Sequence, residues 1–260
     1  MAYERVILEC DGPVATITLN HPESRNCLSW KLATELSDAL DQLGDARVLI
    51  ITGAGKGFCS GGDMASSVDE GSDFGEMLFK GLTEAVNPMF LKLRDLRIPV
   101  IAAVNGAAAG AGAPLALSAD ICIAAENAFF YMAFPNMGLV PDSAGSWLLP
   151  RLVGKARAMQ MMLLADKIPA GQALDWGMIY KVVPDDQLLE EARALAVRLA
   201  AGPTLAYGLI RQQAFAALES DYATALALEA ANQRTAGKSK DCGEAVAAFL
   251  GKRPPVFRGE

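Results

Sequence analysis

Asp142 is the residue of this chain best placed for acid–base chemistry, because of what its neighbours lack. Between residues 105 and 150 there is no Lys, Arg or His, and the only carboxylates are Asp120, Glu126 and Asp142. Asp142 lies in the turn-rich run Gly138-Leu139-Val140-Pro141-Asp142-Ser143-Ala144-Gly145, between two apolar stretches. A carboxylate that loses water without gaining a cation is disfavoured in its charged form. Its pKa rises towards the range in which it can take up and return a proton near neutral pH. Upstream, Gly106-Ala107-Ala108-Ala109-Gly110-Ala111-Gly112-Ala113 can bring bare N–H groups against a ligand. A second glycine-rich loop, residues 53–63, ends in Phe58-Cys59-Ser60-Gly61-Gly62-Asp63. Two such loops after neighbouring strands can aim two N–H donors at one carbonyl oxygen, each typically worth ~3 kcal/mol in a transition state.

Other motifs fall away. Lys56 follows glycines, but a phosphate-binding P-loop needs glycine where Ile50 stands, and a dinucleotide fingerprint needs one at Leu115 or Phe58. His21, the single histidine, precedes Pro22 in a surface-type turn and reads as a turn residue rather than a base. Cys59 has no visible base nearby and reads as a small buried thiol.

The elements that must position these groups follow from pattern. Residues 4–10 and 14–20 alternate as strands around the turn Asp11-Gly12-Pro13. Ser29 is a cap for a helix with Leu32, Leu36, Leu40 and Leu43 on one face, stopped by Gly44. Strands are expected at 47–52, 99–104, 121–124, 129–132 and 180–183, and a helical region at 74–96. A short helix begins near Gly110 with Pro114 in its first turn. From residue 143 the chain reads as mostly helical, and 203–252 is an Ala-rich helical tail. The segment 65–87 is expected to be mobile and to set the shape of the pocket. The recurring strand–strand–helix rhythm points to an α/β fold with a helical appendage.

Composition narrows the function classes. With 260 residues, 52% hydrophobic and 20% charged, the chain suits an ordered globular protein. Its net charge of -7 gives no basic footprint for nucleic acid or anionic membrane. Five scattered cysteines without a Cys-x-x-Cys pair read as reduced thiols of a cytoplasmic protein, with neither disulfides nor a metal site expected. The uncharged run 98–119 has membrane-spanning length, but Pro99, Asn105, Pro114 and several glycines interrupt it.

Gly57 to Asp63, together with Ala103-Val104-Asn105-Gly106 and the Ala/Gly run behind it, resembles the crotonase (enoyl-CoA hydratase/isomerase) superfamily. The resemblance extends over residues 6–252. It implies a ββα spiral core over 1–200 and a C-terminal helical oligomerisation region over 201–260 that builds homotrimers, or hexamers as dimers of trimers. It implies an acyl-CoA thioester whose carbonyl oxygen is held by the Gly62 and Ala111 amides, with no cofactor beyond the coenzyme A carried by the substrate. The coenzyme A is expected near Ser24, Arg25 and Cys27, with Ser60, Gly61, Asp63, Met64 and Gly110 along the pantetheine, and Phe249 and Lys252 reaching a neighbouring subunit. Phe134, Met137, Leu139 and Trp147 are expected along a dry acyl pocket or, equally, in the core.

At the positions of the two glutamates of the family's hydratases this chain has Pro114 and Phe134. Asp142 falls where isomerase and dehalogenase members place a functional aspartate. The segments 108–113, 132–134, 147–151 and 175–179 are most similar to the ring-1,2-epoxyphenylacetyl-CoA isomerases of phenylacetate degradation. The implied activity is an acyl-CoA isomerase acting on Δ3-enoyl or epoxidised aromatic thioesters. The alternatives are an enoyl-CoA hydratase, a hydrolase or dehalogenase with Asp142 as nucleophile, and a non-catalytic acyl-CoA-binding subunit.

Overall fold

The computed structural model describes residues 3–63 and 73–260. Strands β1 (Val6–Asp11) and β2 (Val14–Leu19) form the expected antiparallel hairpin. Ser29 caps α1 (Trp30–Asp41), its Oγ accepting from the Leu32 N–H at 3.2 Å, and the expected leucine face is buried. Strands β3 (Val48–Gly53) and β4 (Gly57–Cys59) follow. Helix α2 (Phe74–Gly81) runs through one π turn, Leu82–Val86, into α3 (Asn87–Asp95). Next come β5 (Val100–Val104), β6 (Ala107–Ala109), α4 (Gly112–Leu117), β7 (Ile121–Ala125) and β8 (Phe129–Tyr131). Helix α5 (Gly145–Leu164) is broken at Gly154 and leads to β9 (Lys167–Pro169), α6 (Ala170–Asp175) and β10 (Lys181–Val183). The chain closes with α7 (Leu188–Ala200), α8 (Thr204–Ala217), α9 (Tyr222–Ala236) and α10 (Lys240–Leu250).

Two sheets share these strands. One has the order β1-β2-β3-β5-β7-β10 and is parallel beyond the hairpin; the other has the order β4-β6-β8-β9. The pairs β3–β4, β5–β6 and β7–β8 each place one strand in the larger sheet and the next in the smaller. The chain therefore winds as a spiral of ββα turns, stacked in parallel register. Central strands β3 and β5 are almost wholly buried and apolar, as a parallel sheet covered on both faces requires, and α7 packs over both.

Three short strands depart from expectation. β4 and β6 lie where glycine-rich loops were expected, and β9 lies inside a stretch read as helical. Gly-Phe-Cys and Ala-Ala-Ala carry little intrinsic strand preference. Stacking on the neighbouring turn of the spiral, Gly57 opposite Ala107 and Ala107 opposite Phe129, makes them strands. The uncharged run 98–119 resolves into β5, β6 and α4, and no helix among the described residues is long and apolar enough to cross a membrane.

Helix α8 is fastened to the spiral by an ion pair between the buried Arg211 and the partly exposed Asp120. Arg211 donates from Nε to Asp120 Oδ1 and Oδ2 at 2.8 and 2.7 Å, and its other nitrogens donate to the carbonyls of Leu93, Arg94 and Leu96. Asp120 Oδ2 also accepts from the Val100 N–H at 2.7 Å. Burial raises the Asp120 pKa, and Arg211 and the Val100 amide only partly oppose the rise. Replacing Arg211 by alanine removes the cation beside that carboxylate and the donor to the Leu93, Arg94 and Leu96 carbonyls, at an expected cost of roughly 2–3 kcal/mol near pH 8. Because the folded pKa lies above the unfolded one, stability falls as pH rises through that interval. The deficit of Arg211→Ala should therefore shrink from pH 8 to pH 5, which urea unfolding at the two pH values measures.

Candidate active site

The two glycine loops meet because nothing stands between them. Gly61 has φ 93°, and a Cβ built on it would lie 2.8 Å from the Ala109 carbonyl oxygen and 3.3 Å from the Ala111 nitrogen. A Cβ on Gly112 would lie 2.2 Å from the Cys59 carbonyl oxygen. Any side chain at either position would force the loops apart. A Cβ on Gly62, in contrast, would meet open space. Among the described residues neither the Gly62 nor the Ala111 N–H donates to another group.

Both residues line one cavity of about 230 Å³, and Asp142 lines it too. Its wall is largely apolar, from Leu28, Trp30, Met77, Leu78, Leu82 and Val86, the last four from the described part of the segment 65–87. Met64 lies outside the described residues.

Asp142 is half-buried, and burial raises its pKa, while the Ser143 hydroxyl pulls the other way. Its Oδ1 is sealed from solvent with no hydrogen-bond partner, and so is Ser143 Oγ. The backbone here is unusual: Ser143 and Ala144 have φ 52° and 64°, consecutive left-handed conformations on residues that carry a Cβ. The Gly145 N–H closes the turn on the Asp142 carbonyl at 2.8 Å, and α5 starts from it. Pro114 packs against the same turn, since a Cβ on Gly145 would fall 3.1 Å from its Cγ.

Asp142 is not the cavity's single acid. Asp63 also lines it, on the side of Cys27, whose thiol pKa is raised first by burial and then by that carboxylate. The expected coenzyme A loop is stitched to the donor loop. Ser60 N–H donates to the Arg25 carbonyl at 2.9 Å, Ser60 Oγ donates to the Ser24 carbonyl at 2.7 Å, and Leu28 N–H donates to the Gly61 carbonyl at 2.7 Å. Gly110 is held by its N–H to the Tyr131 carbonyl at 2.8 Å.

Other expected residues stand elsewhere. Phe134, Met137, Leu139 and Trp147 are not among the residues lining this cavity. Phe134 is buried in the core, and Met137 is mostly exposed. Trp147 faces a separate groove, with the Arg151 guanidinium 4.1 Å and that of Arg94 5.5 Å from its ring centre. Phe249 is 82% exposed and Lys252 is exposed beside it, so neither reaches the cavity of its own chain. Cys59 is fully buried with its thiol pushed up to about 12, which suits an inert core group. His21 accepts or shares a 2.6 Å hydrogen bond at Nδ1 with Ser24 Oγ and is part of the turn, not of the cavity.

Sequence reading missed Asn26. It is fully buried with φ 59°, accepts from the His21 N–H at 2.8 Å, and donates from Nδ2 to the carbonyls of Ala54, Gly57 and Phe58 at 2.9, 2.8 and 3.2 Å. One amide side chain thus ties the Ser24–Cys27 turn to the donor loop. An asparagine between Arg25 and Cys27 carries no pattern that signals this. Asn26→Ala strands several buried carbonyls and is expected to cost about 3 kcal/mol of stability. Guanidinium unfolding would show it as a lower midpoint at unchanged slope.

A model of the enoyl-CoA hydratase/isomerase family matches residues 9–260. A 1,2-epoxyphenylacetyl-CoA isomerase of Escherichia coli (strain K12) is 44% identical over 260 residues, 99% of each chain. A Rhodobacter capsulatus protein named "probable enoyl-CoA hydratase" is also 44% identical, over the full length of both. Among solved structures, an enoyl-CoA hydratase of Bacillus anthracis superposes with a TM-score of 0.92 at 31% identity, covering 99% of this chain and all of that one.

Proposed function

The chain belongs to the enoyl-CoA hydratase/isomerase family, and from that premise we propose that it is an acyl-CoA isomerase. The observation that carries the reading is the joint placement of Asp142, Gly62 and Ala111 on one cavity, the carboxylate desolvated and both N–H groups unused. A thioester oxygen received by those two donors makes its α-carbon acidic, because the charge of the enolate lands where the donors already point. Asp142 takes the proton from C2 of a 3-enoyl thioester. The electron pair spreads from the oxygen to C4, and the same carboxyl returns the proton there, leaving the 2-enoyl isomer. One carboxyl suffices for this 1,3-shift. For an aromatic 1,2-epoxide thioester the same clamp stabilises charge while Asp142 assists ring opening and expansion to an oxepin. The 44% identity to the epoxyphenylacetyl-CoA isomerase supports the aromatic substrate.

Pro114 and Phe134 at the hydratase glutamate positions weigh against water addition, since neither can hold or activate water. A second reading, enoyl-CoA hydratase, is favoured by one observation: Asp63 and Asp142 line the same cavity, and hydration needs an acid and a base. Exposed apolar residues on the C-terminal helices, Tyr222 at 81% and Leu250 at 75% alongside Phe249, support assembly as a trimer or a dimer of trimers.

Asp142→Asn should lower isomerisation of 3-hexenoyl-CoA or of the aromatic epoxide thioester by roughly 10²- to 10⁴-fold while leaving thioester binding within a few-fold of the parent. A 3-enoyl thioester deuterated at C2 should carry that deuterium to C4, because the same carboxyl returns what it removes. Formation of 3-hydroxyacyl-CoA from crotonyl-CoA at a comparable rate would favour the hydratase, and absence of turnover together with thioester binding indifferent to Asp142→Asn would identify a binding subunit.

A further inference from the structure

Ser143 carries the second buried, unpartnered oxygen of the cavity, and nothing in the reaction just described uses it. It is 3% exposed, it lines the cavity with Asp142, and its Oγ is sealed from solvent. The adjoining Asp142 Oδ1 is sealed and unpartnered in the same way, whereas Oδ2 does not share that condition. A sealed hydroxyl and a sealed carboxylate oxygen on consecutive residues of one cavity wall can each supply the partner that the other lacks, and polar atoms so enclosed rarely stay unpaired. The left-handed backbone at Ser143 and Ala144 is the kind of strain that persists where surrounding structure holds a functional geometry.

Resting on the isomerase reading, we propose that Ser143 is a positioning residue for Asp142: its hydroxyl donates to Oδ1 and so leaves Oδ2 as the oxygen that exchanges the proton with the acyl chain. The bond restrains carboxylate rotation, so one oxygen addresses both C2 and C4. It also stabilises the ionised form in a site that otherwise disfavours it, the direction in which the hydroxyl acts on this carboxyl. Among the described lining residues the other titratable side chain is Asp63, and no Lys, Arg or His lines the cavity. Residues 105–150, which supply β6, α4, β8 and the start of α5 around Asp142, contain no cation. Ser143 is thus the group available to hold the carboxyl down.

Two variants test the assignment, because they remove the same hydroxyl with opposite consequences for the backbone. Ser143→Ala keeps a Cβ at φ 52°, and Ser143→Gly relieves it. A base whose ionised form loses a hydrogen bond titrates higher, so the acid limb of kcat/KM should move up by about one pH unit in both variants, with the plateau changed less than the limb. The Asp142 carboxyl, followed by carbon-13 NMR in the unliganded protein and identified by its absence in Asp142→Asn, should rise equally, a readout independent of turnover. Ser143→Gly should unfold at no lower temperature than the parent. An unmoved carboxyl titration in both variants overturns the proposal, and so does a shift in Ser143→Ala that Ser143→Gly lacks, since backbone strain would then be the cause. Full activity in Asp142→Asn overturns Asp142 as the proton-transferring base, and with it the premise of this proposal. Loss of activity in Asp142→Asn with unshifted Ser143 variants overturns only the role of the hydroxyl.

Discussion

Backbone meeting backbone, with no side chain between, is the contact on which this molecule's site depends. Strands β4 and β6 end side by side, and the chain beyond each must stay within hydrogen-bonding reach of one small group. Gly61 against Ala109 and Ala111, and Gly112 against Cys59, leave no room for even a methyl. The spiral enforces the approach from below, since parallel pairing of β3 with β5 sets the spacing that β4 and β6 inherit. Asn26 enforces it from the side with its three donated bonds to the 54–58 stretch. Asn105 adds to this, accepting from the Gly53 N–H and donating to the Gly55 and Gly57 carbonyls. The donors are therefore preorganised by secondary structure, and no side chain has to be ordered when a ligand arrives.

Asp142 stands under the opposite regime. Its turn is strained, its carboxyl is partly stripped of water, and one oxygen is left without a partner. Each of these costs stability, on the order of 1 kcal/mol or more. The buried apolar strands of the spiral offset that cost easily. In the proposed reaction, charge on the carboxyl is disfavoured and charge on a thioester oxygen held by the two amides is favoured in the same cavity, a difference that would raise the base towards the working pH and lower the acidity barrier of its target together.

The path from sequence to this picture was clear where chemistry was local and obscure where it was tertiary. Ser29 and the leucine repeat of α1 are local, and both stand as read. The meeting of Gly62, Ala111 and Asp142 was legible through the resemblance and through the lack of cations around Asp142, which leaves burial nothing to balance it. Trp147 and Met137 illustrate the converse. Both lie within a few residues of Asp142, yet α5 turns Trp147 between two guanidinium groups in another groove, and Met137 faces outwards. Asp63 enters the cavity because its loop folds back along Leu28, a pairing made by an isolated bridge between Leu28 and Gly62. Neither β4 nor Asn26 has a periodicity to detect. Each owes its conformation to the turn of the spiral beside it.

The C-terminal helices extend the same logic to the outer surface. Arg211 holds α8 to the spiral, and Arg47 holds the end of the chain, donating to the Thr204 hydroxyl at 2.7 Å and the Phe257 carbonyl at 3.3 Å. Asp241, itself buried, accepts from the Arg258 and Gly259 N–H groups at 2.7 and 2.8 Å and folds the last residues back on α10. The segment this fastening secures presents Val246, Phe249 and Leu250 to solvent. Rigid anchoring of an apolar face lowers the entropy lost when that face is covered. The buried charges at its root, like the asparagine beside the donor loop, spend hydrogen bonds to fix orientation. In both places the fold uses polar groups to aim surfaces that backbone and apolar side chains then occupy.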